Sequence, residues 1–406
     1  MWMPIYLILW CGSFTMMANG ELRLLVIGGE ASRSRYKLII SDVELLDPFD
    51  AGSNCIKPPD LPFPRKCFVS EYLGGDRPFI IGGGNTGVMY VTSLVLINNT
   101  WWNTPIKLNH PRYCATSSQL HPSMMWVVGG DTDGTNKGMT TEILKDFTLA
   151  TQINYPPKYN VQPFINASIN EKTRFRDIFN APKDDDYSKS SRKCLAKINE
   201  THSFLTGYQN GLSYIVDSTK LPYSFTPLPK MMFGSHNGGA CTTIRDSLGV
   251  TRVLVAGGGD TKLHKVNLEL MKKSEFLKLD SYEWIEGPDL PRMFYMGGFV
   301  QYPDDRGFVL LGGEDLKDHG RIPRHFSDVM RYNQTTNKFE YLPKSLAIPR
   351  SRFGAMLVET SNDENCTIVS KITTSHANSL PTDQRYLGTI TFYVVCFWTL
   401  LVGHKY

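Results

Sequence analysis

The sequence predicts an all-β protein in which six sheets of similar size are stacked side by side in a ring, a six-bladed β-propeller. Three observations predict it. Apolar runs ending in glycine recur at Gly28-Gly29, Gly82-Gly83, Gly129-Gly130, Gly207, Gly257-Gly258 and Gly312-Gly313, at intervals of 54, 47, 78, 50 and 55 residues. The runs themselves, such as LLVIGG, MWVVGG, VLVAGG and FVLLGG, are continuously apolar, the pattern of strands buried on both faces. The two ends of the repeat are incomplete in complementary ways: the first unit lacks an innermost strand, and the last strand, Phe353 to Val358, has no diglycine after it.

Each element follows from this period. A unit of about 50 residues cannot bury both faces of its own sheet, and stacking in a ring buries them while leaving short edges. The best-formed stretch is Trp284 to Gly313. There a tryptophan ends one unit, Leu290-Pro291-Arg292 leads into the next, and two apolar runs follow. A glycine pair at the end of such a run permits positive φ and close approach of a neighbouring backbone. Short β-rich runs, a diglycine and a later aromatic at this spacing resemble the kelch repeat, over most of residues 22–358. The resemblance implies a propeller spanning 21–358, with one blade made from both chain ends. It also implies a binding scaffold for a protein or glycan. Cytosolic kelch proteins usually carry a BTB adaptor domain ahead of the ring. Nothing in this sequence resembles one, so an adaptor role is not carried over.

The first 20 residues read as a signal peptide. Ile5 to Phe14 is an apolar core too short to span a bilayer, and Ala18 and Gly20 suit a cut before Glu21, although no Lys or Arg precedes the core. The first unit then offers Leu22 to Ile27, Leu38 to Ile40 and Val43 to Leu46 as strands. Residues 82–87, GGGNTG, match the dinucleotide fingerprint GxGxxG. Val88 to Ile97 is β-branched and apolar rather than helical, and no acidic residue lies between Asp76 and Asp131, so that reading fails. SLVLINNTWW supplies two strands and a turn, as does YNQTTNKF, with Tyr332 and Phe339 on its two strands.

The long interval contains a polar insertion, residues 156–193. It interleaves Tyr159, Phe175 and Tyr187 with Arg174 and Arg176, the side chains that anchor interfaces, and is expected to carry recognition on the loop-bearing face. Packing of the same aromatics against the degenerate fourth unit is the competing expectation. Asp184 to Asp186 lack calcium-loop spacing. Residues 359–386 read as a polar linker. The uncharged run 387–403 reads as a transmembrane or GPI-signal segment, implying membrane attachment.

Net charge is +4, with no basic stripe of the kind that binds nucleic acid. Of eight cysteines, Cys11 and Cys396 fall in the terminal apolar segments, which leaves six for the ring and its linker. Cys55 and Cys67 bracket a proline-rich connector and are the expected disulfide. Cys67, Cys114, Cys194 and Cys241 fall near one repeat position, where a small buried thiol and a disulfide both remain open. The nine histidines show no ligand spacing on one element and read as surface or capping residues. No cofactor or metal site is expected. Catalysis is not expected either. The alternative is an extracellular oxidase resembling galactose oxidase, whose two copper-binding histidines and cysteine-linked tyrosine find no matching motif. Asn98, Asn166, Asn199, Asn333 and Asn365 begin Asn-x-Ser/Thr sequons. Asn98 and Asn333 stand at matching turns between the last two strands of their units, which favours an extracellular or cell-surface glycoprotein.

Overall fold

A computed structural model describes residues 21–368, apart from 34–35, 53–54, 74–76, 122–123, 131–140, 146–192, 208–210, 220–223, 246–248, 260–268, 304–305, 316–322 and 362–365. Its described residues form six antiparallel sheets and one small ribbon. Blade 1 contains β1 (Glu21–Arg33) and β2 (Tyr36–Leu46). Blade 2 contains β3 (Val69–Leu73), β4 (Arg77–Ile81), β7 (Thr92–Ile97) and β8 (Thr100–Lys107), and its ribbon is β5 (Gly84–Asn85) with β6 (Val88–Met89). Blade 3 shows β9 (Thr116–His121), β10 (Met124–Val128) and β11 (Thr141–Lys145). Blade 4 is β12 (Cys194–Lys197), β13 (His202–Thr206), β14 (Tyr214–Asp217) and β15 (Ser224–Pro227). Blade 5 is β16 (Ala240–Arg245), β17 (Thr251–Ala256), β18 (Ser274–Lys278) and β19 (Trp284–Glu286). Blade 6 is β20 (Gly298–Gln301), β21 (Phe308–Leu311), β22 (Val329–Asn333) and β23 (Lys338–Tyr341). β24 (Gly354–Thr360) returns to blade 1.

The ring closes as the incomplete ends require. β24 pairs antiparallel with β1, from Ile27↔Gly354 to Glu21↔Thr360, giving the order β2-β1-β24. The innermost strands β24, β3, β9, β12, β16 and β20 then adjoin one another in that order around the ring. Two expected strands, Leu38 to Ile40 and Val43 to Leu46, are one strand. β1 also runs on through its diglycine, with a register shift between Ile27 and Gly29, so a β-ribbon projects beyond the sheet. Paired backbone on both sides carries the ladder past Gly28, whose positive φ acts as a bulge.

The apolar runs are buried on both faces. Leu24 to Ile27, Val253 to Ala256 and Phe308 to Leu311 are each wholly inaccessible. Leu25 and Ile27 pack on Ile80 and Leu94 of blade 2, while Leu24 and Val26 pack on Val309 and Leu311 of blade 6. The cores of this domain are therefore the interfaces between blades. The degenerate fourth unit forms a complete four-stranded sheet.

The expected Cys55–Cys67 bond does not form. Cys55 pairs with Cys366, Cys67 with Cys114, and Cys194 with Cys241. The repeat explains the second pair. Cys67 and Cys114 occupy the same position in adjacent blades, two residues before the innermost strand, and adjacent blades bring those positions together. Residues 366–368, expected in a free linker, are tied to blade 1 by the first disulfide and by a Thr360↔Ile368 bridge. Among the described residues no helix is long and apolar enough to cross a membrane, and the run 387–403 lies outside them.

Candidate functional site on the lead-in face

The chain enters each innermost strand, and leaves the second strand through the diglycine, on one face of the ring. Repeated polar contacts build that face. The second glycine's N–H donates to a backbone carbonyl of the next blade: Gly29 to Arg65, Gly83 to Arg112, Gly258 to Phe294 and Gly313 to Arg350, at 2.9, 2.7, 2.7 and 2.9 Å. A Cβ on Gly28 would stand 2.6 Å from the Arg65 oxygen and one on Gly312 2.6 Å from that of Arg350, so these positions admit only glycine. Inside this seam a second set of bonds runs around the ring through residues of positive φ. Met296 donates to Gly238, Arg352 to Met296, Cys67 to Arg352 and Cys114 to Cys67, at 2.7–2.8 Å.

A buried cation locks most blades. Arg65, Arg112, Arg292 and Arg350 donate to the carbonyl of the first glycine in their own blade, Gly82, Gly129, Gly312 and Gly28. In blade 5 His236 contacts Gly257 O in the same way. Each lock is held from the third-strand side by Thr92, Glu142, Asp328, Glu44 or Glu275. Burial is the largest influence on the four guanidinium groups. It pulls Arg65 down to about 10 and lowers Arg112, Arg292 and Arg350 against the opposing pull of Glu142, Asp328 and Glu44. Trp101 and Trp284, the later aromatics of the repeat, donate from Nε1 to Pro59 O and Pro229 O, both at 2.9 Å, fastening the last strand to its blade's lead-in.

Where the ring closes, this face carries a charged cluster. Glu30 and Glu314 each follow a diglycine, and both are wholly buried. Arg352 donates to Glu30 Oε1 at 3.0 Å and to Glu314 Oε1 at 2.6 Å. Lys66 binds Glu30 Oε2, Lys37 Nζ lies 3.6 Å from Glu30 Oε1, and Ser351 Oγ donates to Glu314 Oε2 at 2.8 Å. His325, paired with Glu314 by a backbone bridge, points its Nε2 at Glu314 Oε2 (3.7 Å) and Glu30 Oε1 (3.9 Å). Burial alone would raise the Glu30 carboxyl, but Arg352, Lys66 and Lys37 together hold it below its ordinary range. Burial disfavours the Arg352 charge, yet Glu314 and Glu30 outweigh it and raise that group. For His325 burial prevails and lowers the pKa, with Glu314 and Glu30 opposing. Donor atoms of Glu30, Glu314 and His325 lie within 4.8 Å of one another.

The same face is also apolar at its rim. Tyr36 and Leu38, on the projecting ribbon of blade 1, are 74% and 40% exposed, and Val88 and Met89, on the β5–β6 ribbon of blade 2, are 53% and 38% exposed.

The sequence-based candidates fall unevenly on this structure. The diglycines stand where expected. Asn98 and Asn199 lie exposed at strand turns, and Asn333 begins the turn between β22 and β23. Asn166, Asn365, Tyr159, Arg174, Phe175, Arg176 and Tyr187 lie outside the described residues. Two histidines contradict the surface reading: His236 and His325 are buried at 2% and 6% exposure, because each completes a polar contact inside the lead-in face. The cluster joins residues up to 322 positions apart, so local spacing could not reveal it. The usable signal was the tripeptide Gly-Gly-Glu, repeated at 28–30 and 312–314.

No known family and no curated protein match the sequence. Among solved structures, that of YjhT is similar with a TM-score of 0.52 and 12% identity, over 78% of this chain and 97% of that one. At this identity the likeness shows the fold: the chain is a six-bladed β-propeller.

Proposed function

We propose that the chain is an extracellular or cell-surface propeller of the kelch type that binds a protein or glycan ligand through its lead-in face. The observation that carries this reading is the rim of exposed Tyr36, Leu38, Val88 and Met89 on two projecting ribbons of neighbouring blades. Tyrosine and methionine are enriched at interface cores, and a rigid sheet ring is the scaffold on which connecting segments become specific. The insertion 156–193 lies between β11 and β12, where it would add to that recognition surface. Three disulfides support an oxidising compartment. With the leader at 1–20 and the sequons, they favour the secretory route. A binding scaffold is preferred to the oxidase alternative because, among the described residues, the donor grouping on this face is one histidine with two glutamates.

The test is a surface-proteome and glycan-array screen with the glycosylated ring, its Y36S/V88S variant, and a variant in which residues 157–192 become a Gly-Ser linker. Loss of a captured ligand at unchanged melting temperature supports the reading. Equal capture by all three rejects it. Attachment through 387–403 is tested by release from cells with phosphatidylinositol-specific phospholipase, which identifies a lipid anchor. Recovery of untreated protein in the medium rejects both anchoring modes.

A further inference from the structure

The proton arrangement around His325 exposes something the salt-bridge network does not explain. Ser32 Oγ has one hydrogen, and Pro323 O, 2.9 Å away, can only accept it. Ser32 Oγ must then accept from His325 Nδ1, 2.6 Å away, so Nδ1 carries the proton. In the neutral ring Nε2 is therefore a bare lone pair. Among the described residues it has no hydrogen-bond partner, the side chain is 1% exposed, and it faces two carboxylates. An orphaned buried acceptor aimed at two negative groups is unfavourable unless a cation lies between them. A proton fits poorly, because an Nε2–H would face acceptors at 3.7 and 3.9 Å, beyond hydrogen-bond reach.

We propose that Glu30, Glu314 and His325 bind a divalent transition-metal ion of the zinc class across the closing seam of the ring. Donors spaced 3.7 and 3.9 Å apart leave a centre about 2 Å from each, the usual length of zinc bonds to histidine nitrogen and carboxylate oxygen. Ser32 on Nδ1 is the outer partner that metal-bound histidines use to fix ring and tautomer, and Ser351 and Arg352 hold the Glu314 carboxylate. Each carboxylate oxygen has two lone pairs and can keep its hydrogen bond while binding the ion. Access lies past Ser32, which is exposed, and Lys37, whose side chain is 43% exposed. The nearby cations set the affinity. Arg352 and Lys66 balance the two glutamates without an ion, so the ion competes chiefly with Lys66, whose side chain is 16% exposed.

The experiment uses the full glycosylated chain, stripped with a chelator and titrated with zinc chloride by calorimetry, with bound metal counted after gel filtration. Wild type is expected to bind one ion at this site. H325Q and E314Q, folded by circular dichroism, should lose that ion or bind it at least tenfold more weakly, and K66Q should bind it more tightly. Absence of saturable zinc binding in wild type would overturn the proposal. So would binding in H325Q and E314Q equal to wild type, which would place the zinc on other surface groups. If H325Q fails to fold, E314Q and K66Q decide, and unchanged affinity in both overturns the site.

Discussion

The Cys55–Cys366 disulfide fixes the outermost ends of the ring, and the cost of removing it can be worked from chain length. It joins residues 311 positions apart, whereas Cys67–Cys114 and Cys194–Cys241 each span 47. In the loop-entropy account a cross-link of this kind removes roughly 19 cal/mol/K from the unfolded chain for the long loop and about 14 for a short one, hence ~5.7 and ~4.1 kcal/mol at 25 °C. The constant term cancels in the comparison, leaving a difference of about 1.7 kcal/mol from length alone. The perturbation is C55A/C366A against C67A/C114A, with alanine chosen so that no hydroxyl is left buried beside Cys366, Cys67 or Cys114. The assay is reversible guanidinium unfolding. The long-loop variant should be the less stable of the two. Its denaturant slope should also rise more, because its unfolded chain expands more once the clasp is gone. A smaller loss for C55A/C366A than for C67A/C114A, with slopes unchanged, would refute the reasoning. It would mean that local packing at the lead-in face, rather than closure of the chain ends, dominates the value of these bonds.

Three further outcomes follow from the repeated contacts. Arg350→Met removes a buried guanidinium that donates to Gly28 O and Asp42 O, both at 2.9 Å, and leaves Glu44 unbalanced. It should cost about 3–5 kcal/mol, partly recovered by adding E44Q, whereas Arg331→Met at a more exposed pair should cost at most about 1 kcal/mol; thermal unfolding of the three variants checks the order. Gly28→Ala places a Cβ at φ +56° and 2.6 Å from Arg65 O, which should cost about 1–3 kcal/mol in backbone strain and more from the contact; a midpoint within error of wild type would contradict the seam described above. Deleting 353–358 removes most of β24, exposes the edge of β1 and should unfold the whole ring, seen as loss of the cooperative transition.

The fold was legible because its determinants are local and repeated. The glycines and the apolar runs recur at the blade period, and a later aromatic such as Trp101, Phe225, Trp284 or Phe339 closes several of the units. Strand exchange at the ends was legible for the same reason, since a repeat with a missing first strand and a surplus last one has one economical solution. The lead-in residue Arg292 was visible as part of a motif, but its purpose was not. A guanidinium reaching the first glycine's carbonyl is a contact across about 20 residues that no local pattern encodes. The disulfides show where sequence distance misleads. Cys55 and Cys67 are near in the chain but belong to different structures: Cys55 packs against the last described residues, and Cys67 sits on the inner rim. Equivalence within the repeat, rather than proximity along the chain, was the right guide for Cys67 and Cys114.

The charged cluster sits at the closing seam for a physical reason. Every other interface in the ring joins blades that are consecutive in the chain, so folding brings them together over shorter sequence distances. The interface of blades 6 and 1 must be assembled from residues 30, 314, 325, 351 and 352, and its loop-closure cost is the largest in the domain. Apolar packing at this interface resembles that elsewhere, with Leu24, Val26, Val309 and Leu311 wholly buried. What differs is the added layer of Glu30, Glu314, Arg352, Lys66 and His325, in which Arg352 bridges Glu30 from the N-terminal end and Glu314 from the C-terminal end. Buried charges are costly when a partner is missing and acceptable when all are present. The cluster therefore penalises an open or misregistered ring more than it strengthens a closed one. An ion held there would report closure directly, since two of its three ligands come from blade 6 and the third from β1.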